Sequence, residues 1–386
     1  MKIVIAPDKF KGSLPATQVA AAIAAGLRAG RPGAEVIAIP VADGGEGTVD
    51  AAVAAGFERV PVTAAGPVGD PVRASYARRG EAAVVELACV CGLVRLSGGP
   101  GSSRAAPLVA SSAGAGEVLR AALEAGARRI ILAVGGSAST DGGAGLLQAL
   151  GARVLDARGE PARPGGAGLR DVATLDLSGL HPKLRAAEVI LAADVDNPLT
   201  GPDGAAEVYG PQKGASPAEV ARLDEGLRHW AAVVAAATGT DWSRAPGAGA
   251  AGGVGFAVLA VLGAVRRPGV ELVLDLGGFE DALDGADLVI TGEGSLDAQS
   301  LAGKAPVGVA RAAARRGVPV IAVAGRCTLT EAELAAAGIS AVYPLSDLEP
   351  DPERSRAEAA RLLRRTGQMI ARDRLAEAVT KAGTRA

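Results

Sequence analysis

Short hydrophobic runs alternate with longer alanine-rich stretches at the start of the chain. Residues 2–6 (KIVIA) and 35–41 are short and rich in β-branched residues, as buried strands are. Between them, residues 14–29 carry apolar positions at helical spacing, with Ser13 as a candidate cap and Pro15 in the first turn. This alternation is typical of α/β units with parallel strands.

The middle of the chain follows a different pattern. Residues 73–79 and 82–88 are strand candidates separated by a two-residue turn, which predicts an antiparallel pair. Residues 217–237 form a long helical pattern with Ser216 as its cap. The remaining predicted elements are helices at 48–55, 117–124, 143–150, 306–316 and 330–337, a long or broken terminal helix at 353–378, an exposed loop or hairpin at 161–168, and strands at 130–134, 154–155, 188–193, 287–291, 318–324 and 339–343.

The last third of the chain returns to the alternation seen in the first. The two ends therefore resemble each other, whereas the middle contains hairpins. We predict an α/β protein of two domains, one built from residues 1–70 and 270–386, and one inserted domain at 71–269 with a mixed sheet.

Composition excludes several classes of protein. Lys and Arg total 40 against 42 Asp and Glu, which argues against a protein that coats nucleic acid or an anionic membrane. Two histidines and three cysteines leave no ordinary zinc site or disulfide framework, and no G-x-S-x-G motif supports a serine hydrolase. Cys89 and Cys91 are interpreted as small buried residues on one strand face.

No segment has the pattern of a membrane span or a signal peptide. The apolar run at the N-terminus is short and is followed directly by a charge. Residues 245–265 lack charges, but the first half of this stretch is glycine-rich, so we interpret it as a loop entering a buried helix. We therefore expect a cytoplasmic protein without a membrane or nucleic-acid partner.

Glycine is about twice as frequent as in average proteins, with 54 in 386 residues. The glycines cluster after predicted strands, where α/β sheets bind ligands. Residues 7–13 (PDKFKGS), 43–48 (DGGEGT) and 135–143 (GGSASTDGG) combine glycine with lysine, hydroxyl or carboxylate groups. Backbone amides and lysines suit phosphate groups, so we interpret these loops as candidate ligand sites.

A pair of aspartates follows the strand at 188–193. Alternation would place Asp194 and Asp196 on one side, either as oxygen ligands for Mg²⁺ or as an acid/base pair. Taken singly, residues 210–214, 291–297 and 303–304 are as consistent with surface turns as with ligand loops.

Together these loops suit phosphoryl transfer from a nucleotide to a small hydroxylated acceptor. The sequence has no Walker A motif and no protein-kinase H-R-D motif. Residues 247–252 match G-x-G-x-x-G, but no predicted strand precedes them, so the match to a dinucleotide site is weak.

The motifs, in order along nearly the whole chain, resemble those of the bacterial glycerate kinases of the first class. The resemblance is carried by residues 5–13, 40–48, 135–145, 194–199, 210–214, 247–255 and 291–294. It implies an ATP-dependent kinase that acts on D-glycerate, with two α/β domains, one of them flavodoxin/Rossmann-like with a parallel sheet formed by both chain ends. Thr140 stands where the family usually has Asn.

We therefore expect ATP and Mg²⁺ as cofactors, D-glycerate as the small-molecule substrate, and 2-phosphoglycerate as the favoured product, with 3-phosphoglycerate as the alternative. A homodimer is left open. The predicted catalytic residues are Asp194, Lys9 and Asp8, and the predicted metal ligands are Asp194 and Asp196. The predicted substrate- and nucleotide-binding residues are Lys11, Ser13, Asp43, Gly44, Gly45, Glu46, Gly47, Gly136, Ser137, Asp141, Asn197, Gln212, Lys213, Gly292, Glu293, Gly294 and Arg326.

Two other classes of function are kept as alternatives. One is an NAD-dependent dehydrogenase of a 2-hydroxy acid, which NADH fluorescence on mixing with glycerate would reveal. The other is a non-catalytic binding protein of the same fold, which would bind glycerate and ATP without releasing ADP.

Overall fold

The computed structural model describes residues 1–96 and 106–375. Its strands are β1 (Lys2–Pro7), β2 (Glu35–Ala38), β3 (Glu58–Ala65), β4 (Pro71–Arg79), β5 (Ala82–Glu86), β6 (Arg129–Ala133), β7 (Arg153–Asp156), β8 (Val172–Asp176), β9 (Glu188–Ala192), β10 (Val265–Arg267), β11 (Leu288–Leu296), β12 (Val320–Cys327) and β13 (Ala341–Pro344). Its α-helices are α1 (Ala16–Gly30), α2 (Thr48–Ala54), α3 (Ala88–Cys91), α4 (Ala106–Val109), α5 (Ala113–Glu124), α6 (Ala144–Ala149), α7 (Ala205–Tyr209), α8 (Pro217–Thr238), α9 (Val254–Leu262), α10 (Gly269–Leu276), α11 (Phe279–Ala282), α12 (Ala305–Ala314), α13 (Glu331–Ala336), α14 (Pro352–Ala357) and α15 (Ala359–Leu375).

The chain divides into two compact units. The parallel-sheet unit comprises Met1–Asp43, Asp50–Ala55 and Val270–Ala386, and the mixed-sheet unit comprises Gly44–Val49 and Gly56–Gly269. Strand β3, which the predicted boundary at residue 70 assigns to the chain ends, pairs with β4 in the mixed sheet. The domain assignment itself stays a prediction.

The parallel-sheet unit has the strand order β2-β1-β11-β12-β13, and each neighbouring pair is parallel. This is the order of flavodoxin-like folds, in which the chain reverses its winding direction between β1 and β11. The crevice at the carboxyl ends of two such strands is where this class of fold binds ligands. The predicted α/β class and the parallel sheet from both chain ends are confirmed.

Apolar side chains on both faces of this sheet explain why its strands are continuous hydrophobic runs. In β1, Val4 and Ala6 pack into one cluster, whereas Ile3 and Ile5 pack into the other. The second cluster includes side chains of α1 and α15. Gly26 is needed there, because a Cβ on it would lie 2.0 Å from the backbone oxygen of Arg364. The first and last described helices of the chain therefore pack closely together.

The mixed-sheet unit has the order β10-β9-β6-β5-β4-β3. Strands β10, β9, β6 and β5 are parallel. Strands β4 and β5 form the predicted antiparallel pair, and β3, which the sequence did not predict, extends it. The strands β7 and β8 form a separate antiparallel pair. Helix α8 begins with the predicted cap: Ser216 Oγ accepts from Glu219 N, and the Glu219 carboxylate accepts from Ser216 N. This is a capping box.

Several local predictions are wrong. Ser13 does not cap α1; its hydroxyl donates to the Arg356 oxygen at 2.7 Å. Cys89 and Cys91 lie in α3 rather than on a strand face. The predicted loop at 161–168 is partly buried, because Gly166 and Gly168 pack against neighbouring backbone. The terminal helix, by contrast, takes the broken form of the two predicted: it is interrupted at Glu358, and residues 376–378 lie outside the described part of the chain.

The glycine-rich segments of β11 and β12 are also not turns. Both strands continue beyond their predicted ends, β11 to Leu296 and β12 to Cys327. A Cβ on Gly292 would lie 2.2 Å from the Val323 oxygen, and one on Gly325 would lie 2.3 Å from the Gly294 oxygen. These glycines therefore allow the two strands to approach each other.

Residues 245–265 form the loop and buried helix that the sequence predicts. No helix within residues 1–96 and 106–375 is long and apolar enough to span a membrane.

Candidate active site

At the switch point of the parallel-sheet unit, β1 ends beside Gly292 of β11, and β11 continues to Leu296. Pro7 pairs with Gly292, and the next amide, that of Asp8, donates to the Gly292 oxygen at 2.8 Å. The side chains that follow on the two strands are Asp8 and Glu293, both acidic and both buried. Two predicted site residues are thus positioned by neighbouring strands of one sheet.

Asp8 is a buried carboxylate with a cation beside it. Its Oδ1 accepts from the Lys9 amide at 2.6 Å, and the Lys9 ammonium lies 3.5 Å from the same oxygen. Burial, the largest effect, raises the pKa of Asp8 to about 6; Lys9 lowers it, and the nearby Asp43 carboxylate raises it. Asp8 can therefore exchange a proton near neutral pH.

Glu293 is a second carboxyl group with a raised pKa. It is 8% exposed, and its Oε1 has no hydrogen-bond partner among the described residues. Burial, the largest effect, raises its pKa to about 7; Ser300 and Lys304 lower it, and Asp8 and Asp297 raise it. The Asp8 carboxylate thus disfavours the ionised form of Glu293.

Two other predicted residues of this unit are more exposed. Lys11 and Arg326 are on the surface, and the Arg326 Nε donates to Ser295 Oγ at 3.0 Å. Gly294 packs against the backbone of Phe10 and Lys11: a Cβ on it would lie 3.3 Å from the Lys11 nitrogen. Gly292 and Gly294 therefore serve strand packing, and no role as a phosphate loop follows from their geometry.

In the mixed-sheet unit, the segment Gly44–Val49 lies over the carboxyl ends of the parallel strands. The Gly135 amide donates to the Gly44 oxygen at 3.0 Å, and a Cβ on Gly44 would lie 3.2 Å from the Ala192 oxygen. Gly44 has a φ of +80°, which favours glycine. Of the predicted residues here, Gly45 is buried, Gly47 is half-buried and Glu46 is exposed. The segment thus meets the loop after β6.

In that loop, Asp141 is a fully bonded structural carboxylate. Its Oδ2 accepts from Ser112 N and Ser112 Oγ, both at 2.8 Å, and its Oδ1 accepts from Gly143 N at 3.1 Å. Further donors to Oδ2 are Gly145 N and Ser111 Oγ. This carboxylate joins the start of α6 to the segment before α5, which favours a structural role over direct ligand binding.

Lys213 is a buried cation in the same region. Its ammonium donates to Ser137 Oγ at 3.1 Å and to the Ser139 oxygen at 2.5 Å. Burial, the largest effect, lowers its pKa to about 8, and Asp141 opposes that shift. Among the described residues, Ser139 Oγ and Thr140 Oγ1 are buried without hydrogen-bond partners. Lys213, Ser137 and two further hydroxyls thus belong to one polar cluster, while Gly136 is exposed.

The two aspartates after β9 contact different partners. Asp194 is half-buried, and its Oδ1 accepts from Gly269 N at 2.8 Å. Asp196 is exposed and forms a 2.6 Å ion pair with Arg266. The expected pairing of these carboxylates is not seen in these contacts.

The neighbouring amide residues have different surroundings. Asn197 donates to the Asp203 oxygen and accepts from Tyr209, so both ends of its amide are occupied within the protein. Gln212 is exposed beside the buried Lys213. Of the five residues, Lys213 is buried, Asp194 and Asn197 are half-buried, and Asp196 and Gln212 are exposed.

Comparison with known proteins agrees with the motifs. The model of the glycerate kinase family matches residues 3–375. The chain belongs to the glycerate kinase family. It is therefore a kinase, and the resemblance inferred from its motifs is confirmed.

Relatives of this family cover almost the whole chain. A glycerate kinase of Bacillus subtilis is 44% identical over 96% of this chain and 97% of its own length. A glycerate 2-kinase of Escherichia coli is 46% identical over 89% of this chain and 90% of its own. A crystal structure described as a glycerate kinase 2 from Salmonella typhimurium LT2 has a TM-score of 0.83 and 44% identity, with full coverage of both chains.

One feature of this glycerate kinase family member was missed by sequence reasoning. Glu86 is a buried carboxylate that accepts from the amides of Gly47 and Val49. Lys304, for which the sequence left a surface turn and a ligand loop equally open, lowers the pKa of Glu293. Glu86 carried one usable signal, because a glutamate ending an apolar strand needs a buried partner.

A magnesium ion would suit the acidic end of β1. Within the described residues, no three or more His, Cys, Asp or Glu side chains are grouped as a metal site. Mg²⁺ bound with nucleotide needs only one or two carboxylates, because phosphates and waters complete its shell. The nearby Asp43 carboxylate raises the pKa of Asp8, and a bound cation would oppose that shift. Asp196 fits less well, because it is already paired with Arg266.

Proposed function

We propose that this chain transfers the γ-phosphoryl group of ATP to D-glycerate and forms 2-phosphoglycerate. Membership of the glycerate kinase family carries the proposal, and the relative named glycerate 2-kinase favours the 2-hydroxyl over the 3-hydroxyl. The candidate site also offers carboxylates that can accept a proton and a buried lysine that can stabilise phosphate charge, and phosphoryl transfer uses both kinds of group.

Asp194 is the proposed base for the substrate hydroxyl. The hydrogen bond from Gly269 N holds one carboxylate oxygen, so the side chain has a fixed orientation. A base must lie within hydrogen-bond reach of the proton that it takes. A carboxylate with a fixed orientation can be within that reach in every catalytic cycle. The proton of the hydroxyl passes to Asp194 as the oxygen attacks phosphorus and ADP leaves.

Lys213 is proposed to stabilise phosphate charge and to order the serine-containing loop. Its ammonium is buried and already bonded to Ser137 and Ser139, so its position does not depend on ligand. A positive charge in a water-poor site stabilises developing negative charge more strongly than it would in water.

In the parallel-sheet unit, Asp8 and Asp43 are proposed to hold Mg²⁺, and Lys9 is proposed to hold substrate oxygens. The bound ion would neutralise phosphate charge. Asp8 must then be ionised, and its pKa of about 6 makes binding stronger as pH rises from 5 to 7.

The proposal is tested by mixing the purified chain with D-glycerate, ATP and Mg²⁺. Release of ADP together with a phosphorus NMR signal of 2-phosphoglycerate is the expected result. The signal of 3-phosphoglycerate would keep the kinase and correct the position. Absence of any phosphorylated glycerate, with relatives active in the same assay, would reject the proposed function.

A further inference from the structure

Glu86 occupies the end of β5 next to β6. It pairs with Ala133, the last residue of β6, and is 4% exposed. A carboxylate buried to this degree is costly unless hydrogen bonds replace its hydration. Its partners therefore indicate why a charged residue stands at the end of an apolar strand.

Those partners are in the segment Gly44–Val49. One oxygen of Glu86, Oε2, accepts from Gly47 N at 3.2 Å and from Val49 N at 3.0 Å. The other, Oε1, accepts from the thiol of Cys89 at 3.3 Å. The two amides lie at the start of α2, where backbone donors have no partner within the helix.

The segment needs external anchors because of its own composition. Gly44 and Gly47 both have positive φ, at +80° and +96°, and glycine loses the most conformational entropy when it is ordered. The first anchor is the Gly135 amide on the Gly44 oxygen. Glu86 is an anchor at the opposite end, so Gly45, Glu46 and Gly47 are held between the two.

We propose that Glu86 is a positioning residue of the kinase, which holds the glycine-rich segment Gly44–Val49 against the loop after β6. A Cβ on Gly135 would lie 2.6 Å from the Gly45 Cα, so the segment and the loop are in direct contact. A movement of the segment would therefore also displace the loop that contains Ser137. The kinetic part of this inference rests on the proposed function.

The experiment compares Glu86→Ala and Glu86→Gln with a matched control, Glu117→Ala. Glu117 is also a glutamate of the mixed-sheet unit whose carboxylate accepts a backbone amide, that of Ala65, at 2.7 Å. Its partner is in β3 and not in the glycine-rich segment. Both alanine variants lose a carboxylate–amide bond, but only one of them releases Gly44–Val49.

Hydrogen exchange of the full-length chain measures directly how firmly the segment Gly44–Val49 is held, and the measurement does not depend on enzyme activity. In Glu86→Ala, the amides of Gly47 and Val49 are expected to exchange at least about tenfold faster, because opening a bond worth ~1.4 kcal/mol changes an equilibrium tenfold. In Glu117→Ala they are expected to exchange at the wild-type rate. Unchanged exchange in Glu86→Ala would overturn the proposal.

Kinetics then test whether the positioning matters to the reaction. Glu86→Ala is expected to lower kcat/KM about 100-fold, mainly through KM, because a small displacement of a binding loop has effects of this size. Glu86→Gln keeps one acceptor oxygen and should recover about tenfold of that loss. Glu117→Ala should stay within about threefold of wild type, even if its melting temperature falls equally.

The two hypotheses fail in different ways. If the wild-type chain does not phosphorylate glycerate, the proposed function fails, and the exchange data still decide the role of Glu86. If Glu86→Ala does not fold, the isosteric Glu86→Gln variant provides both measurements. Wild-type kcat and KM in a Glu86 variant with fast-exchanging amides would overturn the kinetic role.

Discussion

The end of β1 in one unit and the loop after β6 in the other lie beside buried groups of opposite charge. In the parallel-sheet unit, β1 and β11 lead to buried carboxyl groups, Asp8 and Glu293, whose pKa values are raised to about 6 and about 7. In the mixed-sheet unit, the loop after β6 contains serines around Lys213, whose pKa is lowered to about 8. The carboxyl ends of parallel strands therefore position buried acidic groups in one unit and loop residues around a buried lysine in the other.

The difference shows that burial, rather than the sign of the charge, is the shared device. Burial is the largest cause of all three pKa shifts. Burial raises the pKa values of the two acids and lowers the pKa of the lysine. All three values therefore move toward neutral pH, where each group can change its protonation state. Each group is consequently expected to destabilise the fold in its charged form.

The largest expected effect belongs to Asp194. The substitution Asp194→Asn removes the proposed base but keeps the side-chain oxygen that can accept from Gly269 N. A loss of kcat of about 10³-fold is expected, within the range for a missing general base. The measurement is steady-state ADP release, with circular dichroism to show that the variant is folded. Near-normal turnover would remove Asp194 from the mechanism.

Lys213 provides the next test. Replacement by Met fills the buried space without charge, and kcat/KM is expected to fall about 100-fold. The wild-type rate should also decline above about pH 8, because the ammonium loses its proton there. A matched control is Lys183→Met, since that lysine donates to the oxygens of Leu123 and Glu124. Equal losses in both variants would argue against a specific role for Lys213.

Glu293 tests the acidic edge through stability. A raised carboxyl pKa means that the folded chain binds the proton more tightly, so this contribution to stability is lost as pH rises from 4.5 to about 7. Glu293→Gln is expected to raise the free energy of unfolding by roughly 2–3 kcal/mol at pH 8 and hardly at all at pH 4. Urea unfolding at the two pH values measures this.

The control for Glu293→Gln is a variant that should change stability in the opposite direction. Hydrogen bonding to Arg315 is the main reason that the pKa of Glu280 is lowered, so Glu280→Gln should reduce stability at pH 8. A Glu293→Gln variant that is destabilised at pH 8 would contradict the idea of a strained buried carboxylate.

Asp196 has the smallest expected effect. It is exposed and paired with Arg266, and surface ion pairs contribute about 0–1 kcal/mol. Asp196→Ala should therefore change kcat/KM less than about threefold. Magnesium titration of the rate gives the decisive comparison: a large rise in the Mg²⁺ concentration needed for half-maximal rate would restore Asp196 as a metal ligand.

Local signals in the sequence predicted much of the fold. The Ser216 cap, with Glu219 three residues later, is a reciprocal motif whose partners lie within one helical turn. The hairpin of β4 and β5 is equally local, because a short turn separates two strand patterns. The parallel sheet could be inferred because both chain ends have the same alternation.

Features that depend on distant partners could not be predicted. The glycines of β11 resemble a turn in the sequence, and only the Val323 backbone alongside shows that they belong to a strand. Ser13 bonds to Arg356 instead of its own helix, and Glu86 reaches amides 37 and 39 residues away. Asp8 and Asp194 were identifiable as strand-end carboxylates, but their bonding partners were not.

The pairing of β1 with β11 has a consequence for synthesis of the chain. Thr291 donates to the Ala6 oxygen across 285 residues, and β1 lies between β2 and β11. Every segment of the mixed-sheet unit has been made once Gly269 is translated, whereas β11, β12 and β13 are still missing. Until β11 has been made, one edge of β1 is an open template for other strands, so the growing chain is exposed to mispairing for most of its translation.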